Sequence, residues 1–266
     1  MEDTKLWRYF DLIKFLTFVN GELYFTRADK FKDKYEGAIP KQNYNAHVEW
    51  MISSERNRSR IDEIRKEFYV KFKEKKNKAA ISCWHINESE SAAMWETYAR
   101  AGQGIAISTT INKLKKIQKP DGFELEMFNV EYIDFDREYD EDYNRFELLP
   151  FKNKRKEFQY EQEFRMILYQ NNPLSEPFKG VEINFSNPMK VGDIIKYGFV
   201  SKLNDIPSEG IKVKVNPYEL IDEIIASPYM KDYEIIEIQR ILDLINKDKQ
   251  TNFTIKRSHL YEDVNY

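Results

Sequence analysis

Glu161, Glu163 and Arg165, in the run YEQEFRMILY (160–169), place two carboxylates and a guanidinium close together. Two carboxylates and a guanidinium this close either meet water or meet a ligand. An arginine beside them either holds them in place or contacts a phosphate. Read as a strand, the run puts Glu161, Glu163 and Arg165 on one face, with Ile167 following. Phe158, Tyr160, Phe164 and Met166 then share the other face with Gln162. The plain alternative is a solvent-facing edge with a cross-strand ion pair. The bulky apolar flanks argue against a wholly exposed edge, and charges on a central strand need partners.

Arg8, between Trp7 and Tyr9 in LWRYF, is either a surface residue whose stem packs on rings or a fork for a phosphate or carboxylate. Ser82 interrupts the apolar run AISCWH, where a buried hydroxyl bonds backbone. Cys83 beside it has no readable helix N-terminus or cation to activate it, and His85 makes a weak dyad with it. Met94, Trp95 and Tyr98 fall on one side of a helix, as core or as a wall for a planar ring. Ser227, before Pro228, stands at a strand-to-helix junction, as an anion site or simply an N-cap.

These residues need a scaffold, and the chain is long enough for one. Its 266 residues, 41% of them hydrophobic, predict a single α+β domain over 1–266. The sheet is mixed and mostly antiparallel, with flanking helices. Short apolar runs give strands around ELYFTRA, KNKAAISCWH, GIAIST, 123–134, GVEINF, VGDIIKYGFVS, IKVKV and LIDEIIASP. Residues 5–19 open apolar and turn helical before Asn20-Gly21. Helices follow at ESESAAMWETYARAG, at INKLKKIQK behind Thr110, and over YMKDYEIIEIQRILDLINK. Charged residues at about 41–78 predict a peripheral helical insertion.

A net charge of −3 supplies no general attraction for nucleic acid or an acidic membrane. One cysteine excludes an intrachain disulfide and fits a cytoplasmic setting. The opening MEDTKLWRYF lacks a secretory pattern, and no apolar run approaches the ~18 residues of a membrane span. His47, His85 and His259 are too scattered to form a zinc motif with one cysteine, so no metal site is expected.

The segments LWRY, LYFTRADKFKDKYEG, SCWHINESESAAMWETYA with GIAI, KNKRKEFQYEQEFR and IIASP resemble, in order, a bacterial family called domain of unknown function 2971. That label implies no activity. A second resemblance, to ADP-ribosyltransferases of the arginine–serine–glutamate type, rests on Arg8, Ser82 and Glu161-Gln162-Glu163 in sequence order. It implies NAD as substrate and no metal. Arg8 would hold NAD near its phosphates, and Ser82 would support the nicotinamide pocket. Glu163 would stabilise the ribose cation, and Glu161 would position or deprotonate the acceptor. The implied contacts to NAD are Arg8, Tyr9, Ser82, Trp95, Tyr98 and Arg165. Two features depart from that type: the middle motif is ISCW rather than Ser-Thr-Ser, and the glutamate pair falls inside an expected strand.

The implied function is transfer of ADP-ribose to a protein or nucleic-acid acceptor, or NAD hydrolysis, as in a toxin or phage-defence effector. The alternatives are a non-catalytic ligand-sensing or protein-interaction module, and a metal-dependent nuclease using Glu161 and Glu163. No nuclease spacing is evident for the last of these, and the acidic balance disfavours it.

Overall fold

The computed structural model describes residues 3–53, 60–98, 104–139, 149–170 and 206–262. The strands expected at GVEINF and VGDIIKYGFVS lie outside the described residues. The fold is α+β, as the sequence predicts, with a nine-stranded mixed sheet that is mostly antiparallel.

Strand β1 (Lys5–Asp11) is apolar on both faces and central. Leu6 and Phe10 enter the main core, while Trp7 and Tyr9 enter a second cluster on the other face. Asp11 ends the strand, and its carboxylate accepts from the Lys14 amide to cap helix α1 (Leu12–Val19). Gly21, at φ +93°, turns the chain into β2 (Glu22–Arg27). Helices α2 (Lys41–Ile52) and α3 (Ile61–Asn77) lead to β3 (Ala79–Ile86). Helix α4 (Ala92–Tyr98) and β4 (Gly104–Thr110) follow. The Thr110 hydroxyl caps the short α5 (Ile111–Leu114).

Strands β5 (Phe123–Asn129), β6 (Glu131–Ile133), β7 (Asn153–Arg155) and β8 (Glu163–Gln170) come next. After them come β9 (Gly210–Lys214), α6 (Pro217–Leu220), β10 (Glu223–Ala226), α7 (Asp232–Lys249) and β11 (Ile255–Arg257). The large sheet runs β11-β10-β4-β1-β3-β2-β9, with β8 pairing β3 and β5 pairing β8. Strands β6 and β7 form a separate parallel pair. Ser227 caps no helix, since α7 begins at Asp232; its hydroxyl accepts from the Tyr229 amide in a turn.

The pairing of β3 creates the feature on which the site depends. Strand β8 covers one edge of β3 from Ala79 to His85. The other edge is shared. Strand β1 pairs there at His85 and Ile86, and β2 pairs at Ala80 and Ile81. Ser82, Cys83 and Trp84 therefore face a split in the sheet, where β1 and β2 part. One face of the sheet packs through Leu6, Phe10, Trp84, Phe164 and Met166 against α1 and α7. The other face carries two smaller clusters, around Trp95 and around Ile167. The cleft touches both, through Tyr9 and Met94 on one side and Ile81 and Cys83 on the other.

Candidate functional site

The glutamate pair is not inside a strand. Residues Lys156–Glu161 form a 3-10 turn, Gln162 is left-handed at φ 38°, and β8 begins at Glu163. The expected single face for Glu161, Glu163 and Arg165 is corrected accordingly. Glu163, Arg165 and Ile167 do share a face, and Phe164 and Met166 occupy the opposite one, but Glu161 precedes the strand. A left-handed non-glycine residue costs about 1–3 kcal/mol and persists only where its surroundings hold it. Here the turn brings both carboxylates onto one cation. Lys154 Nζ donates to Glu161 Oε2 and, at 3.0 Å, to Glu163 Oε2.

Arg165 completes the cluster from beneath. Its Nε donates to Glu163 Oε1 at 2.7 Å, and Nη2 to Glu163 Oε2 at 3.1 Å. Both terminal nitrogens also grip Glu36, with Nη2–Oε2 at 2.9 Å, and Nη1 reaches the Phe151 carbonyl. All its N–H donors are thus used. At 0% exposure Arg165 has no donor to offer a phosphate. Its expected direct contact with NAD is corrected to that of a residue holding Glu163 and Glu36 in place.

Three carboxylates (Glu36, Glu161, Glu163) meet two cations (Arg165, Lys154), leaving one negative charge over. Burial alone would push the Glu163 carboxyl up, but Arg165 and Lys154 outweigh it and bring it down to about 2. The Glu161 carboxyl is raised by burial and by Glu163, only partly offset by Lys154. Two neighbouring carboxyls driven apart in this way are the arrangement that divides acid–base from electrostatic duty. Burial and Glu163 push the Cys83 thiol well up, so it is no activated nucleophile.

Glu163 also sets a pH dependence. Its folded value lies below the ordinary 4.5, so its stabilising contribution is present above that value. It is lost as pH falls from there towards about 2, a change of about 3 kcal/mol at most. Glu161, raised in the folded state, works in the opposite direction. Denaturant unfolding from neutral pH down to about pH 2 is expected to show a net loss of stability through the acid range.

Arg8 lines the same cleft from β1. It leaves β1 on the side of Leu6 and Phe10, and Glu163 leaves β8 on the opposite side. The split lets both line one cleft of about 210 Å³. The guanidinium passes between the rings of Phe10 and Trp84, at 5.2 and 5.3 Å. Nη1 donates to Ser82 Oγ and Nη2 to the Tyr24 carbonyl at 2.9 Å. Among the described residues no carboxylate pairs with it, and burial brings its pKa down to about 10. A cation placed this way is held by neutral acceptors and faces the cleft, the setting of an anion-binding fork.

The other candidates separate. Ser82 is buried, accepts from Trp84 Nε1 at 3.2 Å, and positions Arg8 from behind the cleft. Tyr9 lines the cleft, and its hydroxyl accepts from the Ser91 amide at 2.8 Å. Tyr98 lines it from the end of α4; burial and the nearby Glu161 raise its hydroxyl. Trp95 is corrected: it packs edge-on against Tyr9 at 4.9 Å, donates to Glu90, and does not reach the cleft. No pattern in the sequence singles out Glu36, which lies far from Arg165 along the chain. Lys154 is one of several basic residues in FKNKRKE (151–157), and nothing in that run singles it out. Glu161 and Glu163 are both engaged by protein cations, and among the described residues no group of three His, Cys, Asp or Glu side chains is placed to hold a metal.

Among the described residues no helix is long and apolar enough to cross a membrane. No curated protein and no solved structure matches the chain. Residues 94–166 match the family model described as protein of unknown function (DUF2971), which bears out the family resemblance read from the sequence. That stretch holds Tyr98, Lys154, Glu161, Glu163 and Arg165, while Arg8 and Ser82 lie outside it.

Proposed function

We propose, from a family match that carries no activity of its own, that this cleft binds NAD and that the protein consumes it. The reaction is transfer of ADP-ribose to an acceptor or hydrolysis of NAD. The observation that carries this reading is the polarity of the cleft. A half-buried guanidinium that no described carboxylate pairs lines the cleft, together with a fixed, ionised carboxylate beside a raised one. A pyrophosphate suits the first, and a ribose that becomes cationic suits the second. A cleft of about 210 Å³ holds only the reacting end of a dinucleotide, leaving the rest outside.

In the proposed reaction the bond between nicotinamide and ribose C1 breaks, and its electron pair leaves with nicotinamide. Glu163 faces the cation that forms. The oxygen of water or of the acceptor adds to C1, and its proton passes to Glu161, whose carboxyl burial and Glu163 make a better proton acceptor than a free glutamate. Two local features support the resemblance to arginine–serine–glutamate transferases. Arg8 and Ser82 are hydrogen-bonded on neighbouring strands, and the glutamate pair lies on a turn entering a strand. Loss of NAD by this route suits a toxin or a phage-defence effector.

One observation favours a non-catalytic ligand sensor instead: both Glu163 oxygens are already taken by Arg165 and Lys154. Incubation with labelled NAD and cell lysate separates the two. Free nicotinamide, with or without labelled protein or nucleic acid, supports the enzyme. Binding without turnover supports the sensor, and no binding removes both.

A further inference from the structure

The cleft contains an acceptor that the proposed reaction leaves unused. His85 is 4% exposed and lines the cleft. It lies directly across from Glu163 in the β3–β8 register, so the two side chains share a face. Its Nδ1 is 2.6 Å from the Glu161 backbone carbonyl. A carbonyl can only accept, so Nδ1 carries the proton. Burial lowers the ring's pKa and keeps it neutral, so Nε2 holds a lone pair. That atom is buried and meets no partner among the described residues. An unpaired buried acceptor is costly, and one beside a ligand cleft has a ready explanation in the ligand.

The surroundings define the donor it awaits. Glu161 and Glu163 in the same cleft are acceptors, and the cations that serve them are already engaged. This part of the cleft therefore calls for neutral donors, and a ribose diol supplies two on neighbouring carbons. We infer that His85 Nε2 accepts a hydrogen bond from one hydroxyl of the ribose whose other hydroxyl is held by Glu163. The inference rests on the NAD reading and deepens it, making His85 a further substrate-binding residue.

Two substitutions separate this role from a structural one. Asparagine can keep a donor where Nδ1 sits, and so the bond to the Glu161 carbonyl, while losing the acceptor. Glutamine reaches the Nε2 position and can offer its oxygen there. By calorimetry, His85→Asn is expected to bind NAD about tenfold more weakly than wild type. His85→Gln is expected to stay within about threefold of wild type. The reverse order, with Asn normal and Gln weak, would assign His85 to holding the Glu161 turn and overturn the inference. A second measurement varies the nucleotide. NAD analogues lacking the 2′ or the 3′ hydroxyl of the nicotinamide ribose are titrated into wild-type protein. Both should bind more weakly, and one of them should lose nothing further in His85→Asn. Full affinity for both analogues overturns the inference while NAD binding stands. Absence of NAD binding by the wild-type protein removes the nucleotide reading and the inference with it.

Discussion

Glu163→Gln is expected to slow nicotinamide release by about 10²–10³ and to lower the melting temperature in the same protein. The first effect follows from charge. A glutamine keeps the shape but presents no anion to the ribose as nicotinamide leaves. The second follows from the cluster around it. Both carboxylate oxygens accept, from Arg165 Nε and Nη2 and from Lys154 Nζ. An amide offers one oxygen and turns an NH₂ towards a cation. Taking one partner from a buried ion pair costs about 3–5 kcal/mol, because the remaining charge stays buried.

A near-isosteric change leaves packing intact, and the expected loss of melting temperature comes from the ion cluster alone. The two effects are separable because they are read in different ways. Turnover is measured well below the lowered melting temperature, with circular dichroism confirming that the variant is folded. Wild-type turnover in a folded Glu163→Gln protein removes the catalytic role, whatever the melt shows. Glu161→Gln should behave differently, sparing some NAD hydrolysis while impairing transfer. Its proposed duty is the acceptor's proton rather than the ribose cation.

What the sequence made legible was local. The rings flanking Arg8 in LWRYF left it as a stem packed on aromatics or an anion fork, and ISCW placed Ser82 in an apolar strand. Charges at Glu161, Glu163 and Arg165 on an otherwise apolar run signalled partners, but not which ones. Glu36 reaches Arg165 from a loop far along the chain, and no local period encodes that contact. The turn at Gln162 was hidden for a different reason. The alternating pattern of Phe158, Tyr160 and Phe164 reads like a strand, while a single left-handed residue that ends one has no pattern. Helical spacing put Trp95 and Tyr98 on one side of α4. Tertiary packing then took Trp95 onto Tyr9 and left Tyr98 in the cleft. The split itself, with β1 and β2 sharing one edge of β3, is a property of strand pairing between distant segments. It alone explains how side chains from opposite faces of a sheet come to line one cleft.

Arg8 carries the opposite signature from Glu163, and its variant should behave in the opposite way. Arg8→Met is expected to keep or raise the melting temperature while weakening NAD binding by about 10²-fold. The unbranched methionine can fill the space between Phe10 and Trp84 that the arginine stem and guanidinium now occupy. It leaves the Tyr24 carbonyl without its donor, at about 1–3 kcal/mol. The Ser82 hydroxyl keeps Trp84 Nε1 as a partner. Against that cost stands the removal of a half-buried cation that no described carboxylate neutralises and whose pKa burial has brought down to about 10. Exchanging buried charge for apolar volume is often neutral or stabilising by about 1–4 kcal/mol. A residue kept at such expense is retained for what it binds. Arg8→Lys should fall between the two, because it keeps the charge but loses the planar fork that grips two phosphate oxygens. Calorimetry and thermal melts on wild type and both variants test this. A lower melt with unchanged NAD affinity would make Arg8 a strut across the split in the sheet, tying β1 to Ser82 and Tyr24, and the anion would have to bind elsewhere.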